Sequence, residues 1–370
     1  MSIDLFFELI QVAIRKRKHL SNVPSGKEWE QLYRMAEIQA LTGICFMGVQ
    51  RLKKLGHDIP VEVYMPWLAM AAKIQQRNEE MNRKCAEVYE AIRKKGFECA
   101  VLKGQGMAEI YRIRNEELGI RNYADLGLYR QSGDIDVWLW KKGGSLKENR
   151  KEVIRFARTI QPDATGAEHH VGVEWMGTDV ELHYEPAYFC NPFANRRFRK
   201  WFMEYDKSKF QLSDNGFCVP DMEFNRVFLL AHAFRHYMSE GLGLRQVMDY
   251  YFLLRNLNHN LDLNLDLNND RVIEGLGMAR FEKAMKWVIG YVFEGKDRED
   301  GRKYGKMLLE HIMDGGNFGQ HKAATVANRH THIGRFINQL THDIRLMRYY
   351  PSEAIWAPLS MIREFIRIRI

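Results

Sequence analysis

The 370-residue chain is poor in cysteine and proline and has no long apolar run. Its five cysteines, Cys45, Cys85, Cys99, Cys190 and Cys218, are odd in number and scattered. They form neither a close pair nor a cysteine–histidine cluster of zinc-finger spacing, which excludes a disulfide framework and predicts reduced, mostly buried thiols. With only nine prolines against 46% hydrophobic and 12% aromatic residues, a disordered or collagen-like chain is excluded. No stretch reaches the roughly eighteen apolar residues of a membrane span. The most apolar early segment, LFFELIQVAI, is broken by Glu8 and preceded by Asp4 instead of a basic region. Neither a signal peptide nor a membrane partner is therefore expected, and the chain reads as cytoplasmic. At about 150 residues per domain the length suggests two or three domains. The net charge of +8, with a pI near 9.1, is a mild basic excess that suits a polyanionic ligand such as a nucleotide or nucleic acid.

Apolar residues recur at spacings of three and four from Leu5 to about Lys95, as in Leu5, Leu9, Ile10 and Ala13 and again in Met65, Leu68, Ala71 and Ile74. Turn signals fall only at 24–27 and 56–60, so three to five packed helices are predicted over residues 1–95. At Gly96 the pattern changes. FECAVLKG reads as a strand closed by glycine, followed by a helical stretch QGMAEIYRI and a charged, tyrosine-rich loop from about Asn115 to Gly133. A second strand follows over 134–140, then a helix from Leu146 to Ile160, then two strands around Met176-Gly177-Thr178. After Pro220 helix returns, with Asp221 as N-cap and Phe224, Val227, Phe228 and Ala231 on one face. The stretch 256–270, NLNHNLDLNLDLNND, fails as a calcium loop, because Leu267 and Ile273 stand where glycine and glutamate are needed, and it reads as a linker. The remainder reads as helix, broken near Gly315–Gly319, Pro351 and Pro358. The division expected is 1–95, 96–219 and 220–370.

The densest chemistry lies in GDIDVWL at 133–139. On a strand, Asp134 and Asp136 share one face with Cα atoms about 6.6 Å apart, while Ile135 and Val137 point into a core. Two carboxylates so close repel each other when desolvated, and a divalent cation removes that cost. Oxygen donors favour Mg2+ or Mn2+ over zinc. A strand cap followed by a solvated aspartate is the plainer account of such a triplet taken alone. VELHYE at 180–185 adds a second alternation that puts Glu181, His183 and Glu185 on one face, so a strand beside the first would bring Glu181 to the aspartates. LKGQG at 102–106 closes a strand and opens a helix, exposing backbone N–H groups to a phosphate, with Lys103 adding a charge. It has neither P-loop nor dinucleotide-fold spacing.

Taken in order, LKGQGMAEIY at 102–111, RQSGDIDVWL at 130–139 and VELH at 180–183 resemble a known family. This is the uncharacterised nucleotidyltransferases of the DNA polymerase beta-like superfamily, whose pattern is an LKG turn, a tyrosine, an Arg-x-x-x-Asp-x-Asp strand and a later ELH or DLH strand. AHAFRHY with GLGLRQVMDYYFLL, at 231–254, resembles the family's histidine-bearing helix and the Gly-Leu-Arg segment after it. The resemblance implies an α+β fold, a small mixed-sheet nucleotidyltransferase core flanked by N-terminal and C-terminal helical domains.

It also implies roles. Asp134, Asp136 and Glu181 match the catalytic, metal-holding carboxylates, and Lys103 with Gly104 matches the turn that approaches a nucleoside triphosphate. The wider superfamily has Gly-Ser there, and this chain has Lys-Gly-Gln-Gly. Arg130 matches the arginine before the aspartates, as a phosphate contact or a loop salt bridge. The activity implied is transfer of a nucleoside monophosphate from an NTP such as ATP to an acceptor hydroxyl. Two ions about 3.5 to 4 Å apart would activate the acceptor and stabilise pyrophosphate, with Glu181 as ligand or general base. The acceptor is open between a small molecule, a protein and RNA. Dispersed basic residues favour the first two over nucleic acid. A nucleotide-binding scaffold and an RNA-binding adaptor are the alternatives.

Four further residues are substrate candidates. His183 is either a structural hydrogen-bonder or a substrate contact. His232 and His236 lie four apart on one helical face but lack the glutamate of HExxH, so packing or substrate contact is expected. Arg245 with Asp249 reads as an intrahelical ion pair, or as an arginine facing the cleft. The terminal MIREFIRIRI reads as amphipathic packing.

Overall fold

Two-residue alternation in the central segment builds a small sheet, and stripes at helical spacing on either side build the helices that cover it. The computed structural model describes residues 3–114, 123–259, 263–317, 340 and 344–360. The first ninety-odd residues form α1 (Ile3–Ala13), α2 (Gly26–Ile38), α3 (Thr42–Lys54) and the long α4 (Val61–Lys94), within the expected number. Ser25 and Glu28 form a reciprocal capping box that starts α2. The α2–α3 break falls at Ala40, which takes a left-handed φ of 54° although it is not glycine.

The centre runs β1 (Glu98–Val101), a 3-10 helix (Gly104–Tyr111), β2 (Arg112–Arg114), β3 (Tyr123–Asp125), a second 3-10 helix (Leu126–Tyr129), β4 (Ile135–Trp140), α5 (Leu146–Ile160), β5 (His170–Trp175) and β6 (Thr178–His183). The stretch expected as an ordinary helix after Lys103 is thus the tighter 3-10 form. A Cβ on Gly106 would lie 2.5 Å from the Val101 carbonyl oxygen, so this segment packs closer to β1 than a side chain permits. Residues 115–122 of the expected loop lie outside the described residues. Four strands pair in the order β1-β4-β6-β5, with β4 and β6 parallel and both outer pairings antiparallel. Met176 and Gly177, with φ of 54° and 67°, make the two-residue turn that joins β5 to β6, as expected from the sequence.

Beyond the sheet come α6 (Pro192–Glu204), a small ribbon of β7 (Gln211–Leu212) with β8 (Cys218–Val219), α7 (Met222–Ser239), α8 (Leu244–His259), α9 (Leu263–Gly275), α10 (Ala279–Glu294), α11 (Arg302–Gly315) and a one-turn helix Pro351–Ala354. Asp221 caps α7 as expected, its side chain accepting from the Phe224 N–H. The segment read as a linker, 256–270, is instead mostly helix, ending α8 and forming the first half of α9. Asn269 donates to the Glu223 carbonyl at 3.2 Å and Asp270 pairs with Arg226, and these contacts hold α9 against α7. MIREFIRIRI at 361–370 lies outside the described residues.

The fold is α+β, with helices flanking a four-stranded mixed sheet. Two apolar cores result. The larger joins α1–α3 to α7, α8 and α10. The smaller fills one face of the sheet, where Ile135, Val137 and Leu139 of β4 and Val180 and Leu182 of β6 meet α4 and α5. Helix α4 crosses between them, giving Trp67 and Ala71 to the larger core and Met81, Cys85, Val88 and Ile92 to the smaller. Between these stripes the buried polar position is Asn78. Its amide donates at 2.7 Å to the carbonyls of Leu128 and Arg130, fixing the loop that leads into β4.

Candidate active site

The opposite face of the sheet carries polar side chains. Asp136 on β4 and Glu181 on β6 stand in register on adjacent parallel strands, so the carboxylates that the sequence alternation placed on two separate strands come side by side. Asp136 is 2% exposed. His183, one pleat further along β6, donates from or accepts at Nε2, 3.0 Å from Asp136 Oδ1 and 3.1 Å from Glu181 Oε2. Gly104 has a φ of 64°, a conformation glycine adopts freely, at the turn that follows Lys103. The Lys103 ammonium lies 3.0 Å from Asp136 Oδ1. Asp134 stands one residue before β4 and lines the same cleft as Lys103, Gly104, Asp136, His232 and Arg245.

Burial alone would raise the Glu181 carboxyl, but the hydrogen bond and charge of His183 outweigh it and pull it down to about 2. Burial alone would likewise deprotonate His183, yet its bonds to Asp136 and Glu181 hold it up to about 9. Lys103 is desolvated too, and the charges of Asp136, Asp134 and Glu181 keep it well above the ordinary lysine value. At neutral pH the site is thus an array of fixed charges, with carboxylates balanced by an ammonium and an imidazolium. Ligand atoms of Asp136, Glu181 and His183 lie within 4.8 Å of one another, a donor set that fits a divalent cation. Asp134 adds a carboxylate at the cleft but is not in that tight group.

The remaining sequence candidates divide. Arg130 holds Asp249 through two bonds of 2.7 Å, from Nε and Nη2, and Tyr111 donates to the same carboxylate. Both oxygens of Asp249 therefore accept from Arg130, and this buried pair ties the loop before β4 to α8. Arg245 donates from Nη1 to the Gln131 carbonyl at 3.0 Å, and burial beside the Arg130 charge lowers it to about 10. His232 reaches the cleft, with its Nε2 3.1 Å from that of His236. His236 turns its Nδ1 to Glu240 Oε2 at 3.3 Å. Burial pushes both imidazoles down, and the Lys103 charge adds to this. Glu185, expected on the same face as Glu181, lies past the end of β6 in a double hydrogen bond with Arg199 at 2.7 Å.

Two residues at the site went unmarked in the sequence reading, His169 and His170. His170 stands opposite His183 in the β5–β6 pairing, and its Nε2 lies 3.5 Å from Glu181 Oε1. The signal was the adjacent pair His-His directly before the strand VGVEW. A larger hollow of about 550 Å³ lies elsewhere, along α4, lined by Glu79, Arg83, Glu109, Arg112 and Asp125. It holds none of the expected site residues, and the converging carboxylates make the smaller cleft the chemical one.

Comparison with known proteins supplies the class. The family described as "Uncharacterised nucleotidyltransferase" matches residues 25–284, from the start of α2 into α10, and every site residue from Lys103 to Arg245 falls inside the match. The chain belongs to that nucleotidyltransferase family. No curated protein and no solved structure matches it.

Proposed function

We infer that the protein transfers a nucleoside monophosphate from a nucleoside triphosphate to a hydroxyl of a small molecule or a protein, with a divalent cation, Mg2+ or Mn2+, as cofactor. The observation that carries this reading is the registered pair Asp136–Glu181 on adjacent strands, with Asp134 at the same cleft, in a chain of a nucleotidyltransferase family. Asp136 and Glu181 would hold the cation with Asp134 beside them. Once bound, such a cation supplies charge stabilisation to phosphate oxygens and to the acceptor oxygen.

The chain's own groups set the rest. Glu181 is pulled down to about 2, too weak a base to take a hydroxyl proton efficiently at neutral pH, which favours a ligand role over general-base catalysis. His183 hydrogen-bonds both carboxylates, which orients them, and its charge keeps Glu181 ionised. Lys103 and Arg245 bring positive charge to the cleft where a triphosphate would lie. The cleft between these side chains holds about 40 Å³, far below the ~300 Å³ of small ligand pockets, so a nucleotide is admitted only by displacing side chains. Lys103 is the natural one to move, exchanging Asp136 for a phosphate. Arg130 contributes through Asp249, by positioning the loop before β4. We read residues 1–95, 96–219 and 220–370 as a helical part, the core that carries the carboxylates, and a helical part that shapes the acceptor side.

The test is calorimetric binding of the four nucleoside triphosphates with and without Mg2+ or Mn2+, in the native chain and in an Asp134→Ala, Asp136→Ala double variant. Cation-dependent binding that disappears in the double variant is expected, and its preference among bases names the donor. Absence of binding of every triphosphate by the folded native chain would overturn the reading and leave a scaffold.

A further inference from the structure

Three imidazoles meet beside the carboxylates, and the nucleotide reading uses only one of them. His169 and His170 sit at the start of β5 and His183 at the end of β6, its antiparallel partner. The ring centroids are 4.6 Å apart for His169–His170 and 5.1 Å for each of the other two pairs. One ligand nitrogen from each ring lies within 4.8 Å of the other two. His170 Nδ1 and His169 Nε2 are 3.4 Å apart. This matches the ~3.3–3.4 Å edge of a tetrahedron with metal–nitrogen bonds of about 2.0–2.1 Å.

Hydrogen bonding accounts for the cluster only in part, through the His170 Nδ1–His169 Nε2 contact. Nδ1 of His183 is buried and has no hydrogen-bond partner, an unfavourable state for a polar atom. Nε2 of His183 is committed to Asp136 and Glu181, which leaves Nδ1 as its nitrogen for another partner. Nε2 of His170 also faces Glu181, at 3.5 Å. A carboxylate on the far nitrogen of a ligating histidine is the usual support of a metal-bound imidazole, and here Glu181 serves two rings.

We propose that His169, His170 and His183 form a binding site for a nitrogen-preferring divalent transition metal of the zinc class, with a fourth position open to water or substrate. Imidazole donors suit such ions, whereas Mg2+ prefers the oxygens of Asp134, Asp136 and Glu181. The site thus differs from the carboxylate centre in donor type and does not rest on the nucleotide reading.

The test uses the untagged full chain, stripped with a chelator and titrated with Co2+, then Zn2+. A four-coordinate nitrogen site gives Co2+ an intense visible d–d absorption, and Zn2+ should displace it at one equivalent. His169→Gln and His170→Gln, each checked for native circular dichroism, should abolish the absorption and weaken Zn2+ binding at least tenfold. Asp134→Asn should keep both. Failure of the native chain to bind Co2+ or Zn2+ overturns the proposal. Equal binding by both histidine variants also overturns it, as does loss in Asp134→Asn, which would place the ion on the aspartates. Mg2+-dependent triphosphate binding, measured on the same samples, tells failure here from failure of the nucleotide reading.

Discussion

The two faces of the β4–β6 pair come from the same six-residue strands and do opposite things. Residues Ile135, Val137, Leu139, Val180 and Leu182 turn one way and vanish into an apolar core against α4 and α5. Asp136, Glu181 and His183, interleaved with them, turn the other way and assemble a nearly dry charge array with Lys103. The apolar face gains stability from each residue separately, through burial. The polar face is an interlocked set in which every charge is tolerated only because its neighbours neutralise it, so its members are valuable together and costly singly. A site of this kind needs the rigid sheet behind it, because the carboxylates are placed by strand register and not by loop geometry.

The largest effect should come from making the apolar face resemble the polar one. Val137→Asp places a carboxylate among Val88, Leu182 and their neighbours with no cation to meet it, and should cost more than about 4–5 kcal/mol. That is a large part of the roughly 5–15 kcal/mol of a typical domain, so the urea transition should move far to lower concentration or be lost. A variant that unfolds like the native chain would show that this face is not closed. Next is the reverse change, Asp136→Ala, which leaves Lys103 and His183 facing each other without their shared carboxylate. Denaturation should show a loss of about 3–5 kcal/mol. Adding Lys103→Met should recover part of it, and simple additivity of the two changes would argue against the interlocked array.

How much of this was legible in the sequence follows the same division. Local alternation named Asp134, Asp136, Glu181 and His183, and the Met176-Gly177 turn fixed the hairpin that bears two of them. Helix α5 was found over its full range, Leu146–Ile160, and a local Ser145–Glu148 capping box starts it. What lay beyond local pattern was missed. His169 and His170 gain meaning only from the pairing of β5 with β6. Arg130 bonds Asp249, 119 residues away, a partner no spacing rule reveals. The 3-10 form of Gly104–Tyr111 depends on how near β1 lies to Gly106. Segment 256–270 looked like a linker because it is a low-complexity run that fails as a calcium loop, yet contacts to α7 accompany its later part in α9. Tertiary packing overrode propensity there.

A smaller and gentler comparison is Leu182→Ala, which only thins the apolar face and should cost about 2–5 kcal/mol with unchanged metal and triphosphate binding. Chemical denaturation beside the binding assay checks both halves, and a loss of binding without loss of stability would mean that the two faces are coupled more directly than by packing. This loss should be the same from about pH 5 to 7, since the thiols of that core, Cys85 and Cys99, are held protonated there by burial.

The polar side should instead give stability a pH dependence, and the sign differs among its histidines. Burial pushes His232 and His236 on α7 below the ordinary 6.5, and His170 on β5 to about 4. For these groups the unfolded chain takes up protons that the folded chain refuses, so their contribution is complete above about 6.5 and is lost as pH falls. His183 runs the other way: held up to about 9, it contributes fully below about 6.5 and loses that contribution as pH rises through about 9. Stability measured by urea denaturation should therefore peak near pH 6.5. A window of about pH 5 to 9 leaves out Glu181, whose lowered carboxyl titrates below it. In His232→Gln, His236→Gln the acid side should become shallower, with His169 and His170 carrying what remains, while the alkaline side stays, because His183 is untouched. Should the double variant shift the whole curve in parallel, as Leu182→Ala is expected to do, the imidazoles on α7 would be packing groups and the distinction between the two faces would stop at the sheet.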